Sequence, residues 1–232
     1  MMKLSATMCQ HALSSELRRQ SHCDTAASIR MLAGRGLLGR IPGGAIRRLS
    51  QATDCKIEAK VHALGLFIPD LSLLGGKFQP NRMVGGSTGR FVVYCAGSIP
   101  VDRANNPTYI GRVGADFDIA EGQAASQLAA CGLLAQLKSA CPNLEAVTAC
   151  LKIGVYVNST PDFTSFPEVA DGASELMYDL FGETRGHHAR TAVGVASLAR
   201  GVAVEVDGYF EVMDHTLANN SLFDFPDARS LP

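Results

Sequence analysis

Four groups of residues in this 232-residue chain have types and spacings that could do chemistry. Gly85-Gly86-Ser87-Thr88-Gly89 spells the GxSxG string of a nucleophile elbow, which presents a serine on a sharp turn between a strand and a helix. Here a loop-like stretch precedes it and a strand-like one follows, so a turn between strands is the simpler role for these glycines. His187-His188 sets two imidazoles side by side, but no Glu or His stands at helical spacing to complete a metal-ligand set; an exposed loop pair is expected. Arg190 opens an otherwise small and apolar strand, Thr191-Ala192-Val193-Gly194-Val195. A guanidinium there needs either a partner or a cleft. It is a structural salt bridge at a strand end or, since its planar fork suits a carboxylate, an anion clamp; the pattern admits both. Glu205 lies on the non-valine side of the last strand, where a solvated face is the ordinary reading. A hairpin of these two strands around Ser197–Gly201 would bring Arg190 and Glu205 near each other without setting them opposite. A small molecule would then fit between an anion clamp and an acid/base group.

The elements that must position these residues are legible in outline. Ile57–Leu64 reads as a short helix ended by Gly65 and Pro69. Phe67–Gly89 reads as loop with room for a short strand, and Arg90–Ala96 as a strand. Val101–Gly114 is a second loop. A long helix follows, with Asp118 as N-cap, Glu121 completing a capping box, and Leu128, Cys131, Leu134 and Leu137 as its apolar stripe; Pro142 stops it. In Val147–Val157 the residues Val147, Ala149, Leu151, Ile153, Val155 and Val157 share one face, the pattern of a half-buried strand. Ser165 and Glu168 suggest another capped helix start, Val169, Ala173, Leu176, Met177 and Leu180 its buried stripe, and Gly182 its end. Strands near Arg190–Ala196 and Val202–Val212 complete an α+β domain with one mixed sheet and both helices on one face.

Charge divides the chain. The first fifty residues carry eight Lys/Arg against two acids, and the remainder thirteen against twenty. The basic, acid-poor segment rich in Ser, Ala and Leu, without a secretory apolar core, fits a mitochondrial transit leader (1–50), with a processing-type site at Arg47-Arg48-Leu49-Ser50. Residues 51–213 form the domain and 214–232 a polar tail. The acidic balance of the domain speaks against a nucleic-acid partner, and no apolar run reaches membrane-spanning length, so no membrane partner is expected. Seven scattered cysteines without a CxxC pair predict free thiols rather than a zinc or disulfide framework.

Read together, Phe181-Gly182-Glu183, His188-Ala189-Arg190-Thr191-Ala192-Val193-Gly194-Val195-Ala196-Ser197-Leu198 and Val204-Glu205-Val206 resemble the C-terminal signature of the RidA/YjgF (endoribonuclease L-PSP) family, nearest the subgroup with FGE…HARSAVGVASLP. Upstream, Val157-Asn158-Ser159-Thr160-Pro161-Asp162-Phe163, Asp171-Gly172-Ala173-Ser174, Gly111-Arg112-Val113-Gly114 and Ile57-Glu58-Ala59-Lys60 match in order, so the resemblance spans about residues 57–213.

The resemblance implies a chorismate-mutase-like fold, a homotrimer with clefts between subunits, and hydrolysis of enamines and imines such as 2-aminoacrylate to 2-keto acid and ammonia, with no cofactor and no metal. It casts Arg190 as the carboxylate clamp, Glu205 as the acid that positions or activates water, and Gly97 as cleft-lining backbone. Phe78, Ala96 and Asp171 occupy substrate-binding positions where the family usually has Tyr, Ser and Asn. The hydroxyls are lost, and Asp171 adds an anion beside a carboxylate-bearing ligand. A non-catalytic, small-carboxylate-binding or regulatory trimer is therefore the alternative expectation, and an endoribonuclease or translation inhibitor a third.

Overall fold

The computed structural model describes residues 56–71, 78–85, 89–141 and 143–213. The expected leader (1–50) and polar tail (214–232), together with residues 51–55, 72–77, 86–88 and Pro142, lie outside the described residues. The elements run α1 (Lys56–Ala63), β1 (Asn81–Gly85), β2 (Arg90–Ser98), α2 (Ile119–Ala140), β3 (Val147–Asn158), α3 (Phe166–Gly186), β4 (Ala189–Val195) and β5 (Val204–Met213). The strands make one mixed sheet in the order β1-β2-β5-β3-β4. Only β3 and β4 run parallel, because α3 carries the chain back between them. α2 and α3 pack on one face of this sheet, and α1 adds Ile57 and Val61 to the same core from beside α3. This is the expected α+β architecture with a third helix. Among the described residues no helix is long and apolar enough to cross a membrane.

The expected hairpin of the last two strands does not form: β5 lies between β2 and β3, and β4 sits at the sheet edge. β5 suits the centre because Val204, Val206, Gly208, Phe210 and Val212 are all buried along one side. β4 has no fully buried residue, as befits an edge. The glycine string also differs from a simple loop-to-strand passage. β1 ends at Gly85 and pairs antiparallel with β2 through Gly85 and Phe91, so strands stand on both sides and the helix that a nucleophile elbow requires is missing.

β3 departs from strict alternation. Its register against β5 shifts between Val147 and Ala149 and again between Cys150 and Lys152. Such bulges exchange the faces of neighbouring side chains. Cys150 is therefore buried and Leu151 is 41% exposed, the reverse of the expected order. The capping box of α2 is present as read: Asp118 Oδ1 accepts from the Glu121 amide at 2.8 Å, and Glu121 Oε2 accepts from the Asp118 amide at 3.0 Å. Leu128 is only partly buried, but α2 is buried on every side from Ala129 to Leu137, wider than the expected stripe. The α3 stripe of Val169, Ala173, Leu176, Met177 and Leu180 is wholly buried. Ser165 occupies the N-cap position of α3 without a side-chain bond: at φ −78° and ψ 46° its backbone is not in the extended conformation of a cap, and Pro167 removes one of the two N–H groups a cap could engage. Gly182, at φ 75°, interrupts α3, and a further turn follows it.

A further bulge, in β2, positions the site. The β2–β5 register shifts between Cys95 and Ser98, so Ala96 and Gly97 leave the ladder. Gln136, 2% exposed in the apolar middle of α2, holds this bulge by both ends of its amide. Its Oε1 accepts from the Ala96 N–H at 2.8 Å, and its Nε2 donates to the Ala96 carbonyl at 3.1 Å. Replacing it with an apolar residue removes both bonds from a buried backbone segment. Gln136→Leu is expected to destabilise the fold by about 1–3 kcal/mol, read as a lower urea midpoint at unchanged slope; a shift under about 0.5 kcal/mol would show that the clamp contributes little.

Candidate functional site

The sequence-expected site residues fall into two groups. Arg190 is paired in register with Ile153, a core residue, so it points to the helix-covered side of the sheet. There its Nη1 donates to Asp171 Oδ1 at 2.7 Å and to Ser174 Oγ at 3.1 Å, both on α3. The side chains of Arg190 and Asp171 retain 25% and 46% exposure, so the pair reaches solvent. The two readings of Arg190 thus meet in one residue: it is salt-bridged at a strand end, and part of its fork stays open.

His188 joins this group rather than forming an exposed pair with His187. His187 is exposed, whereas His188 is half-buried. Its Nδ1 lies 2.6 Å from the Gly186 carbonyl and its Nε2 3.0 Å from Ser174 Oγ. A carbonyl can only accept, so Nδ1 carries the proton of the neutral ring and Nε2 accepts from the Ser174 hydroxyl. Burial, followed by the nearby charges of Arg190 and His187, holds the His188 pKa below its ordinary value, against the Gly186 bond that raises it. No cluster of three or more metal-ligating side chains occurs among the described residues.

The second group lies on the opposite face, which among the described residues no helix covers. Glu205 is paired with Tyr156 and alternates with buried Val204 and Val206, so it points away from the helices. Its carboxylate rests against the bulge. A Cβ on Gly97 would clash with Glu205 Oε1 and come within 2.9 Å of its Cδ, so glycine there leaves the carboxylate its place against the strand. Ala96 is fixed beside it, and its N–H also donates to the Pro80 carbonyl at 2.9 Å, which brings the segment carrying Phe78 (55% exposed) to the same end of β2. Among the described residues Glu205 has no hydrogen-bond or salt-bridge partner, and burial, then the charge of Asp207, raises its pKa. Asp207 is itself engaged by the Tyr156 hydroxyl at 3.1 Å. Neighbouring Tyr94 and Tyr209 meet as a tilted pair with ring centroids 5.0 Å apart.

Arg190 and Glu205 are therefore not neighbours. β3 intervenes, their partners on it are three residues apart, and they face opposite sides. With strands about 4.8 Å apart and about 3.3 Å per residue, their Cα atoms stand roughly 14 Å apart. The expected gap for one small molecule between them does not exist within one protomer. The orienting roles of Ser174, His188 and Gln136 went unread in the sequence. Only Gln136 left a signal, as a lone amide amid Leu133, Leu134, Ala135 and Leu137.

A single mixed sheet with helices on one face, a bulge under a desolvated acid and a buttressed edge arginine define an α+β domain of the YjgF class. The family model described as "YjgF/chorismate mutase-like, putative endoribonuclease" matches residues 58–199, and the chain belongs to that family. It is 46% identical over 164 residues to Protein TCP17 of Trypanosoma cruzi, covering 71% of this chain and 99% of that protein. Among solved structures it is similar to Atu1372 of Agrobacterium tumefaciens, a protein of unknown function, at 33% identity and a TM-score of 0.60, covering 67% of this chain and 92% of that one. A "putative endoribonuclease" of Shewanella oneidensis matches at 28% identity and a TM-score of 0.61, covering 67% and 99%.

Two outcomes follow from this geometry. Gly97→Ala should leave the fold intact but displace the Glu205 carboxylate, seen as a changed carboxyl titration in 13C-glutamate NMR; an unmoved titration would show that the contact is not constraining. Because folding raises the Glu205 pKa, its cost to stability is absent below the ordinary carboxyl pKa and complete above the folded one. Glu205→Gln should therefore raise Tm at about pH 8 by roughly 2–4 °C, with the gain vanishing near pH 4. A gain that persists in acid would refute desolvation as its cause.

Proposed function

We propose that this protein is an enamine/imine deaminase that hydrolyses 2-aminoacrylate-type intermediates to 2-keto acids and ammonia. The observation that carries this reading is Arg190: an accessible guanidinium fixed through one nitrogen by Asp171 and Ser174, with the rest of its fork available to a carboxylate. Glu205 supplies the proton chemistry. Its raised pKa moves it toward the range in which a carboxylate accepts a proton from attacking water and returns it to departing nitrogen. In this scheme water adds to the C=N carbon, Glu205 takes a water proton, and collapse of the carbinolamine releases ammonia. Phe78, Ala96 and Gly97 line the Glu205 end of the cleft.

The opposed orientation of Arg190 and Glu205 requires that one substrate lie between Arg190 of one copy and Glu205 of another. We infer a homotrimer with interface clefts, its contacts drawing on the uncovered sheet face with Tyr94, Leu151 and Val193 exposed. In the same reading residues 1–50 form a leader that directs the domain to mitochondria. A second reading, a non-catalytic carboxylate-binding or regulatory trimer, is favoured by Asp171, whose charge offsets that of Arg190. The domain's acidic balance speaks against an endoribonuclease.

The test generates 2-aminoacrylate with serine dehydratase and follows pyruvate release in the presence of the full chain. The wild type should accelerate release, and Arg190→Ala and Glu205→Ala should each lower the acceleration by at least about a hundredfold. Co-assembling the two variants should restore about a quarter of the wild-type effect, since some interfaces then pair an intact Arg190 with an intact Glu205. No acceleration by folded wild type would move the assignment to the binding reading. No recovery in mixed assemblies would reject the shared site.

A further inference from the structure

We propose that Asp171 makes this site selective for ligands bearing a positively charged nitrogen on the carbon next to their carboxylate, α-iminium or α-ammonium acids, over plain carboxylates and 2-keto acids. The proposal rests on the reading that Arg190 takes the ligand carboxylate.

Arg190 Nη1 is shared between Asp171 Oδ1 at 2.7 Å and Ser174 Oγ at 3.1 Å. The direction of the second bond is fixed from below: the Gly186 carbonyl sets the His188 tautomer, His188 Nε2 takes the Ser174 proton, and Ser174 can then meet Arg190 only as an acceptor. The guanidinium is thus held in one orientation. Among the described residues its Nη2 and Nε make no hydrogen bond, and neither does Asp171 Oδ2, on a side chain 46% exposed. The site therefore offers an open donor edge and an open acceptor side by side.

A plain carboxylate docked on the open edge of Arg190 has the Asp171 carboxylate as its immediate neighbour, a like-charge contact that weakens binding. A ligand whose cationic nitrogen is one carbon away from its carboxylate places that cation against Asp171 instead. The two charge pairs then lie antiparallel, and the same residue that repels one ligand class attracts the other. His188 adds no compensating positive charge, since burial and the neighbouring Arg190 favour its neutral form. In the proposed reaction the protonated imine and water give a keto acid and ammonium, so the cationic nitrogen present in the substrate is missing from the organic product. Asp171 then holds the more electrophilic, protonated form of the imine and weakens the hold on the keto acid, limiting product inhibition.

The test titrates the full-length wild type, Asp171→Asn and Arg190→Ala with L-alanine, propanoate and pyruvate, following binding by calorimetry or ligand-observed NMR. Asparagine keeps an oxygen for Arg190 Nη1 and removes only the charge. Wild type should bind L-alanine at least about tenfold more tightly than propanoate or pyruvate, and Asp171→Asn should reduce that ratio by about tenfold or more, largely through tighter binding of the two carboxylates. A merely structural salt bridge would weaken all three ligands alike. An unchanged ratio in Asp171→Asn overturns the selectivity proposal while leaving the clamp intact. Binding of all three that survives Arg190→Ala, or no binding by folded wild type, overturns the clamp itself and the proposal with it.

Discussion

The position of β5 is the constraint on which the rest of the structure depends. A strand that buries Val204, Val206, Gly208, Phe210 and Val212 on one side needs a neighbour on each edge, and it takes β2 on one and β3 on the other. Gly208 permits a close approach of the helix layer: a Cβ there would meet the Phe210 ring at 2.9 Å and Leu133 of α2 at 3.2 Å. Once β5 is central, β4 can only extend the sheet beyond β3, parallel to it, and α3 must cross over to reach it. That crossover places Asp171 and Ser174 above Arg190. The same alternation turns Glu205 to the uncovered face. Both halves of the candidate site thus follow from one strand placement.

What could be read from the sequence is what is fixed locally. The Asp118–Glu121 box, the apolar stripe of α3 and the Gly182 break depend on residues within a turn or two of each other, and each is found where expected. Long-range pairing was not legible. A short connection between β4 and β5 suggests a hairpin, yet the valine alternation of β5 is better satisfied between two antiparallel neighbours. The Cys150–Leu151 exchange arises from bulges that exist only relative to the partner strand. At Ser165 one of the two usual cap donors is missing for a local reason, since Pro167 has no N–H to give, but the non-extended backbone of Ser165 itself is not legible in the sequence. Arg190 was visible as a charged residue in an apolar strand, but its partners lie sixteen and nineteen residues earlier on α3, a separation no periodicity connects to it.

The cysteines show the same division between core and site. Cys131 and Cys150 are buried, and burial pushes their thiols up to about 12. Burial likewise raises Cys95, reinforced by Cys141 and Cys150. A thiol needs its thiolate form to react, so these residues serve as small apolar fillers. The candidate polar groups lie instead at the β4 edge and at the bulge of β2.

At those two places the fold prepares its charged groups in opposite ways. Arg190 comes with a counter-ion and a hydrogen-bonded buttress, so its position is already determined in the isolated protomer. Among the described residues Glu205 has no counter-ion, and burial, then the like-signed charge of Asp207, favours its protonated form. A pre-oriented cation suits binding, because orienting it costs nothing further when a ligand arrives. A poorly solvated acid suits proton transfer, because its charge is strongly felt by whatever stands beside it. Each group bears the environment of a different task, and since the sheet separates them, the proposed shared cleft needs a second copy of the chain for both tasks to reach one ligand.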